Sequence, residues 1–249
     1  MTTIRIIPCL DVQNCRVVKG VSFNDLKECG DIGELAQKYF TQGADELVIL
    51  DIAATPRQDE FMLKTLSAVT KRIFIPVCAG GGIRSIADVR AVLRSGADKV
   101  SICSAALNDP ALITGAAKEF GSQCVVVSID ARRSNEGWQV YGTGGRNDSG
   151  RDVLEWAKEA QQRGAGEILL NSIDNDGMCN GYDLQLIDEV RKAVHIPIIA
   201  SGGGGTPESV YDAIRAGADA VLAASIFHNE RYTVGDIKNY LRTKGVCVR

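Results

Sequence analysis

Histidine is nearly absent from this chain. His195 and His228 are the only two in 249 residues. The eight cysteines, at positions 9, 15, 29, 78, 103, 124, 179 and 247, contain no Cys-x-x-Cys pair and no close Cys/His pair. No metal site is therefore expected, because a structural zinc needs paired ligands at short spacing. A chain long enough to bury its own core needs no disulfide framework, so the thiols are read as reduced and the compartment as cytosolic. No apolar run reaches the roughly 18 residues of a membrane helix. Met1-Thr2-Thr3-Ile4-Arg5 passes directly into a strand pattern, so no signal peptide is expected. Neither sign of charge is in large excess, with 28 basic against 31 acidic residues, which argues against nucleic acid or a membrane surface as partner. No linker or low-complexity segment interrupts the chain, and residues 1–249 are read as one domain.

What the chain does have is a repeat. Ile75-Pro76-Val77-Cys78-Ala79-Gly80-Gly81-Gly82 resembles Ile196-Pro197-Ile198-Ile199-Ala200-Ser201-Gly202-Gly203, at an offset of 121. The same offset relates Arg94-Ser95-Gly96-Ala97-Asp98 to Arg215-Ala216-Gly217-Ala218-Asp219, and Gly43-Ala44-Asp45-Glu46-Leu47 to Gly164-Ala165-Gly166-Glu167-Ile168. Three segments at one offset indicate a duplicated half, about 1–121 and 122–249. Short, continuously apolar runs near 4–10, 46–51, 73–78, 99–103, 124–129, 167–171, 196–200 and 219–223 suit strands buried on both faces of a parallel sheet. Amphipathic helix patterns lie between them. Ser85 with Asp88, Asp109-Pro110 and Thr206-Pro207 read as helix starts, and Gly43, Gly96, Gly164 and Gly217 as helix ends. Eight such units in two equal halves predict an α/β fold, a (βα)8 TIM barrel with a two-fold half-barrel repeat. An open doubly wound sheet is the alternative.

In such barrels the chemistry sits at the C-terminal ends of the strands. Asp11 ends the first predicted strand, Asp51 the second and Asp130 the fifth, and Asp174 and Asp176 follow the sixth. Any one of these could merely cap a loop. Asp11 and Asp130 occupy matching places in the two halves, so they are expected to face each other and to share acid and base roles. The Gly-rich turns Ala79–Gly82 and Ser201–Gly205 follow the third and seventh strands, and Ser101–Ser104 and Ala223–Ser225 end the next ones. Glycine lets backbone N–H groups approach an anion, although glycines also serve simple tight turns. Their duplication points to two phosphate sites, and so to an elongated substrate with a phosphate at each end. The long stretch from Asp11 to about Asp31, carrying Arg16-Val17-Val18-Lys19-Gly20, is read as a mobile lid, on which Lys19 either reaches a phosphate or a reacting group or is simply solvated. Arg5, Glu46, Lys99 and Glu167 begin strands and are expected at the barrel bottom, as a closing salt-bridge ring or as a gate.

Together these segments closely resemble the cyclase subunit of imidazole glycerol phosphate synthase, over essentially the whole chain. The resemblance rests on Cys9-Leu10-Asp11-Val12, Arg16–Gly20, Asp45–Val48, Gly80–Ile83, Gly96–Ile102, Val126–Asp130 and Arg163–Leu170. Asp176-Gly177, Gly181–Asp183, Ala200–Gly203 and Ala223–His228 add to it. It implies an enzyme that turns a linear bis-phosphorylated ribulosyl aminoimidazole carboxamide and ammonia into imidazole glycerol phosphate and an aminoimidazole carboxamide ribotide. No cofactor is implied. The resemblance implies Asp11 and Asp130 as general acid and base, with Lys19 acting from the lid. It implies phosphate or substrate contacts from Gly82, Cys103 and Ser104 on one side. On the other it implies Asn171, Asp176, Gly177, Ser201, Gly202, Gly203, Ala224 and Ser225. It further implies a glutaminase subunit docked at the barrel bottom, an ammonia gate of Arg5, Glu46, Lys99 and Glu167, and support from Asp98 and Gln123. Cys103 stands where the family commonly has Asn, Ser104 where Thr is frequent, and Cys15 where a turn glycine is usual. Gly142–Gly145 also departs from the usual stretch. The alternatives are the related isomerase of the same pathway, an ammonia-delivering relative from surface-sugar synthesis, and a non-catalytic glutaminase activator. The Val17–Gly20 motif and the intact Asp11 and Asp130 favour the cyclase.

Overall fold

The structure is a computed structural model. It describes residues 3–13, 16–21, 24–52 and 59–249, and the side chains of these except 19–21, 24–27 and 59–61. The strands are β1 Arg5–Gln13, β2 Arg16–Val21, β3 Asn24–Asp31, β4 Leu47–Asp51, β5 Val77–Gly80 and β6 Lys99–Ile102. They continue as β7 Val125–Ser134, β8 Gly137–Gly142, β9 Asn147–Asp152, β10 Glu167–Ser172, β11 Ile198–Ser201 and β12 Ala220–Ala223. The helices are α1 Ile32–Thr41, α2 Asp59–Thr70, α3 Ile86–Arg94, α4 Ser104–Asn108 and α5 Ala111–Phe120. After them come α6 Val153–Gln162, α7 Leu184–Ala193, α8 Pro207–Arg215, α9 Ser225–His228 and α10 Val234–Thr243.

Eight strands pair in parallel in the order β1, β4, β5, β6, β7, β10, β11, β12, and β12 returns to β1. The sheet is closed, as the alternation of short apolar runs and helices predicts. The apolar runs are continuous because both faces are buried. Ile6, Leu10, Leu47, Ile49, Val125 and Val127 join the core between barrel and helices, while Ile7, Cys9, Val48, Cys78, Val126 and Leu169 form a second cluster inside the barrel. Each fully buried aliphatic of this kind contributes about 1.5–3 kcal/mol.

The repeat survives in the details of the caps. Asp31 and Asp152, 121 residues apart, both accept two backbone N–H groups at the starts of α1 and α6. Ser85 and Thr206, also 121 apart, each accept one N–H at the starts of α3 and α8. The four expected glycines follow the helix C-caps with φ of +86°, +108°, +103° and +114°, the left-handed conformation that ends a helix at least cost in glycine.

Some expectations move. The third and seventh strands begin at Val77 and Ile198, later than the apolar runs at 73 and 196, because those runs open as αβ loops ending in a proline that has no N–H to pair. Pro110 itself is the cap of α5, with Asp109 accepting the Ala111 N–H at 3.1 Å. The stretch expected as a lid carries the antiparallel pair β2–β3, with Val18 opposite Asp11. A matching antiparallel extension, β8–β9, leaves β7. Cys15 and the side chain of Lys19 lie outside the described residues. Among the described residues no helix is long and apolar enough to cross a membrane.

Candidate active site

Side chains alternate along each barrel strand, so inward positions stack from bottom to top. In β1 the inward series is Arg5, Ile7, Cys9, Asp11, and in β7 it is Val126, Ser128, Asp130. The top members open into a cavity of about 500 Å³ at the C-terminal ends of the strands. Asp11 and Asp130 both line it. The phosphate and substrate contacts implied by the resemblance line it too: Gly82, Cys103, Ser104, Asn171, Asp176, Gly177, Ser201, Gly202, Gly203, Ala224 and Ser225. Asp51 lines it as well, whereas Asp174 turns to the Arg133 N–H at 2.8 Å and does not.

Asp130 is the more enclosed of the two central carboxyls, only 8% exposed. Asn171 Nδ2 donates to its Oδ1 at 3.0 Å, Ser201 Oγ donates to Asn171 Oδ1 at 3.1 Å, and the Cys103 thiol donates to Asp130 Oδ2 at 3.7 Å. Burial pushes the Asp130 carboxyl up to about 6, with Asp176 adding to the rise, and the donors Asn171 and Cys103 oppose it without cancelling it. The same burial and the Asp130 charge push the Cys103 thiol far up. Asp11 is half-buried and accepts from the Cys9 thiol at 3.4 Å.

The Gly-rich turns are glycine for a steric reason. Gly81 and Gly202 have φ of +96° and +87°. A Cβ on Gly81 would lie 2.1 Å from the Asp51 carbonyl oxygen, and one on Gly202 2.4 Å from that of Ser172. Each turn crosses over the end of the neighbouring strand, which leaves its backbone bare at the cavity wall. The Ser104 and Ser225 turns begin α4 and α9 beside them.

At the opposite end, the four strand-start charges meet. Arg5 Nη1 lies 2.8 Å from Glu46 Oε2 and 3.1 Å from Glu167 Oε1, and Lys99 Nζ lies at the same two distances from the same two oxygens. This closed ring of alternating charge spans the barrel floor. Glu46 is almost wholly buried, and its Oε1 has no hydrogen-bond partner among the described residues. Between ring and mouth the interior is lined by Ile7, Val48, Cys78, Val126, Ile199 and Ala220. Asp98 and Gln123 do not join the ring. Asp98 accepts the Val77 N–H at 2.9 Å, and Gln123, in a short turn just before β7, donates to the Phe120 carbonyl at 3.3 Å.

The sequence does not announce three further features. Cys9 beside Asp11 reads as an ordinary strand residue. Arg84 and Arg146 line the mouth, but nothing in the chain separates them from other surface arginines. Phe74, in the loop between α2 and β5 at the barrel bottom, is 84% exposed. Its place inside an apolar run gives it the appearance of a core residue.

A family described as "Histidine biosynthesis protein" matches residues 5–233. The chain is 56% identical over 246 residues to a protein of Dehalococcoides mccartyi named imidazole glycerol phosphate synthase subunit HisF, covering 98% of this chain and 97% of that one. Proteins of the same name from Natranaerobius thermophilus and Wolinella succinogenes are each 52% identical, over 246 and 247 residues. The first covers 98% of both chains, the second 98% of this chain and 97% of the relative.

Proposed function

The chain belongs to the histidine biosynthesis family, among the HisF cyclase subunits of imidazole glycerol phosphate synthase, and from that premise we propose how its two ends divide the work. The linear bis-phosphate lies across the mouth with one phosphate on the Gly82–Ser104 turns and the other on the Gly203–Ser225 turns. Its reacting carbon lies between Asp11 and Asp130. Ammonia adds to the carbonyl, water leaves, and the imidazole closes as the bond to the departing ribotide breaks. Each step moves a proton.

Asp130 is suited to moving protons in both directions. A carboxyl held at about 6 gives up and regains a proton near neutral pH, where an ordinary carboxylate would stay ionised. That enclosed carboxyl, gripped by Asn171 and Cys103, is the observation that carries the assignment. Asp11, at the matching place on β1, is the complementary group, and Lys19 assists from β2. The floor ring of Arg5, Glu46, Lys99 and Glu167 is the ammonia gate. Ammonia, being neutral, crosses the apolar interior above it with a smaller desolvation penalty than ammonium would incur. The glutaminase subunit that the HisF name implies docks on that bottom face, around Asp98, Gln123 and Phe74.

The test is turnover of the linear bis-phosphate with ammonium salt by the purified chain. Asp11→Asn and Asp130→Asn should each lower kcat by about 100-fold or more. Normal turnover by both variants would overturn the catalytic assignment, and no imidazole product from the wild type would overturn the function.

A further inference from the structure

The two anion cradles at the mouth are near copies in backbone. Gly81 and Gly82 hold φ of +96° and +69°, and their counterparts Gly202 and Gly203 hold +87° and +100°. Cys103 before α4 and Ala224 before α9 share an uncommon conformation, φ −116° with ψ −99° and φ −123° with ψ −67°. A substrate with a phosphate at each end meets two equivalent poles in this backbone. The acid/base pair is less tolerant, because Asp11 and Asp130 stand in different surroundings and the reacting carbon must present itself one way round.

The side chains break the symmetry. Arg84 lies two residues beyond Gly82, on the rim of the first cradle, and the residue two beyond Gly203 is Gly205. Arg146 lines the same cavity, from a turn tied to this cradle. The Thr143 N–H at the β8–β9 turn donates to Ser104 Oγ at 2.8 Å, which docks that turn against the start of α4. Thr143, Gly144 and Gly145 then run through three left-handed conformations, φ +55°, +63° and +77°, before Arg146 at the cavity wall. A β-branched residue in that conformation is strained, so the turn is held by its docking. Arg84 and Arg146 are the only cationic side chains lining the cavity among the described residues. Neither guanidinium has a hydrogen-bond or ion-pair partner among them. At the second cradle the charged lining side chain is the carboxyl of Asp176.

We propose that Arg84 and Arg146 are specificity-determining residues that fix the direction of the bound substrate, by making the Gly82–Ser104 cradle the strongly anion-binding pole. The inference rests on the two-phosphate reading of the mouth. The reaction supplies its own probes, because the substrate is divided into two products with one phosphate each. Each product should prefer the pole its end of the substrate occupied.

The experiment measures inhibition of ammonium-driven turnover by imidazole glycerol phosphate and, separately, by the aminoimidazole carboxamide ribotide. Wild type is compared with Arg84→Ala, Arg146→Ala, the double variant and the double lysine variant. For exposed charge pairs the expected loss is about threefold for each single variant and about tenfold for the double. That loss should fall on the inhibition constant of one product, with the other within about twofold, and lysine should restore most of it. Added salt should weaken the affected product in the wild type and leave the double alanine variant nearly unchanged. Equal shifts for both products, or none for either, would overturn the inference while leaving the cyclase reading intact. Absence of wild-type turnover would instead overturn the reading beneath it.

Discussion

Replacing Asp130 with asparagine removes the carboxyl proposed to transfer protons, yet the variant should gain stability over the wild type as the pH rises. In the folded protein burial raises this carboxyl from 3.8 to about 6, because the losses of hydration exceed what Asn171 and Cys103 return. The native state therefore holds the proton more tightly than the unfolded chain does. The stability that comes from this group is complete below the unfolded value of 3.8 and is lost as pH rises through about 6. The resulting burden is about 1.5 kcal/mol at pH 5 and about 3 kcal/mol at pH 8, since a tenfold change in proton affinity is worth about 1.36 kcal/mol. Asparagine has the same shape, keeps an oxygen to accept from Asn171, and carries no charge to desolvate. Relative to wild type, the variant should gain about 1.5 kcal/mol between pH 5 and pH 8, or about 4 °C in Tm for a chain of this length. Parallel thermal melts across that range, followed by circular dichroism, measure it. A fixed offset of either sign reflects packing and leaves the slope to be read. A signed difference, variant minus wild type, that stays constant or falls as pH rises would refute the argument.

Asn171→Ala removes the donor on Asp130 Oδ1, which favours the ionised form. A hydrogen bond to a charged group of about 1.5 kcal/mol corresponds to about a tenfold change in proton affinity, so the acidic limb of kcat/KM should move up to about pH 7. Stopped assays across pH 5 to 9 check this, and an unmoved limb would detach Asn171 from the proton transfer. Phe74→Asp should weaken binding of the glutaminase subunit by about 30-fold while ammonium-driven turnover stays at the wild-type rate. Calorimetric titration of the partner subunit reads the first effect, and unaltered affinity would move the docking face elsewhere.

The barrel was legible because its strands are buried on both faces, and such strands read as unbroken apolar runs at any position. The Gly-rich mouth was legible for a different reason. Gly81 and Gly202 are each forced by a neighbouring carbonyl oxygen, so the duplication kept them. What stayed hidden depends on contacts across the chain. Nothing near Asn171 in sequence announces that its amide grips Asp130, 41 positions away. The β8–β9 pair is hard to read because its outer strand carries no apolar alternation; Asn147–Gly150 in β9 are all exposed. Ile73–Ile75 misled in the opposite sense: Ile73 is buried and Phe74 is not, although both lie in one apolar run.

One break in the repeat bears on the floor ring. In three quarters of the barrel a Gly-Ala-Asp turn precedes a strand, and its aspartate reaches back to the barrel strand before it. Asp45 accepts the Ile6 N–H at 2.8 Å, Asp98 that of Val77 at 2.9 Å, and Asp219 that of Ile198 at 3.0 Å. In the remaining quarter the turn is Gly164-Ala165-Gly166, and Gly166 has no side chain to send back. The short helical turn Ser122–Cys124 occupies the place, and of the paired bonds only the backbone one is kept, from the Gly166 N–H to the Val125 carbonyl at 2.9 Å. A Cβ on Gly166 would lie 2.1 Å from the Ser122 carbonyl oxygen, so even alanine must push backbone aside. The next residue is Glu167, which holds both Arg5 and Lys99. Gly166→Ala should therefore cost about 3 kcal/mol, about 6 °C or more in Tm, and should disturb the floor ring through Glu167. Asp98→Ala also removes a strand latch but sits beside no such clash, and should cost only about 1 kcal/mol. If Gly166→Ala melts with the wild type, the missing aspartate is an accident of drift. If it melts far below Asp98→Ala, the quarter that carries Glu167 gave up its latch to admit the turn that packs beside the floor ring.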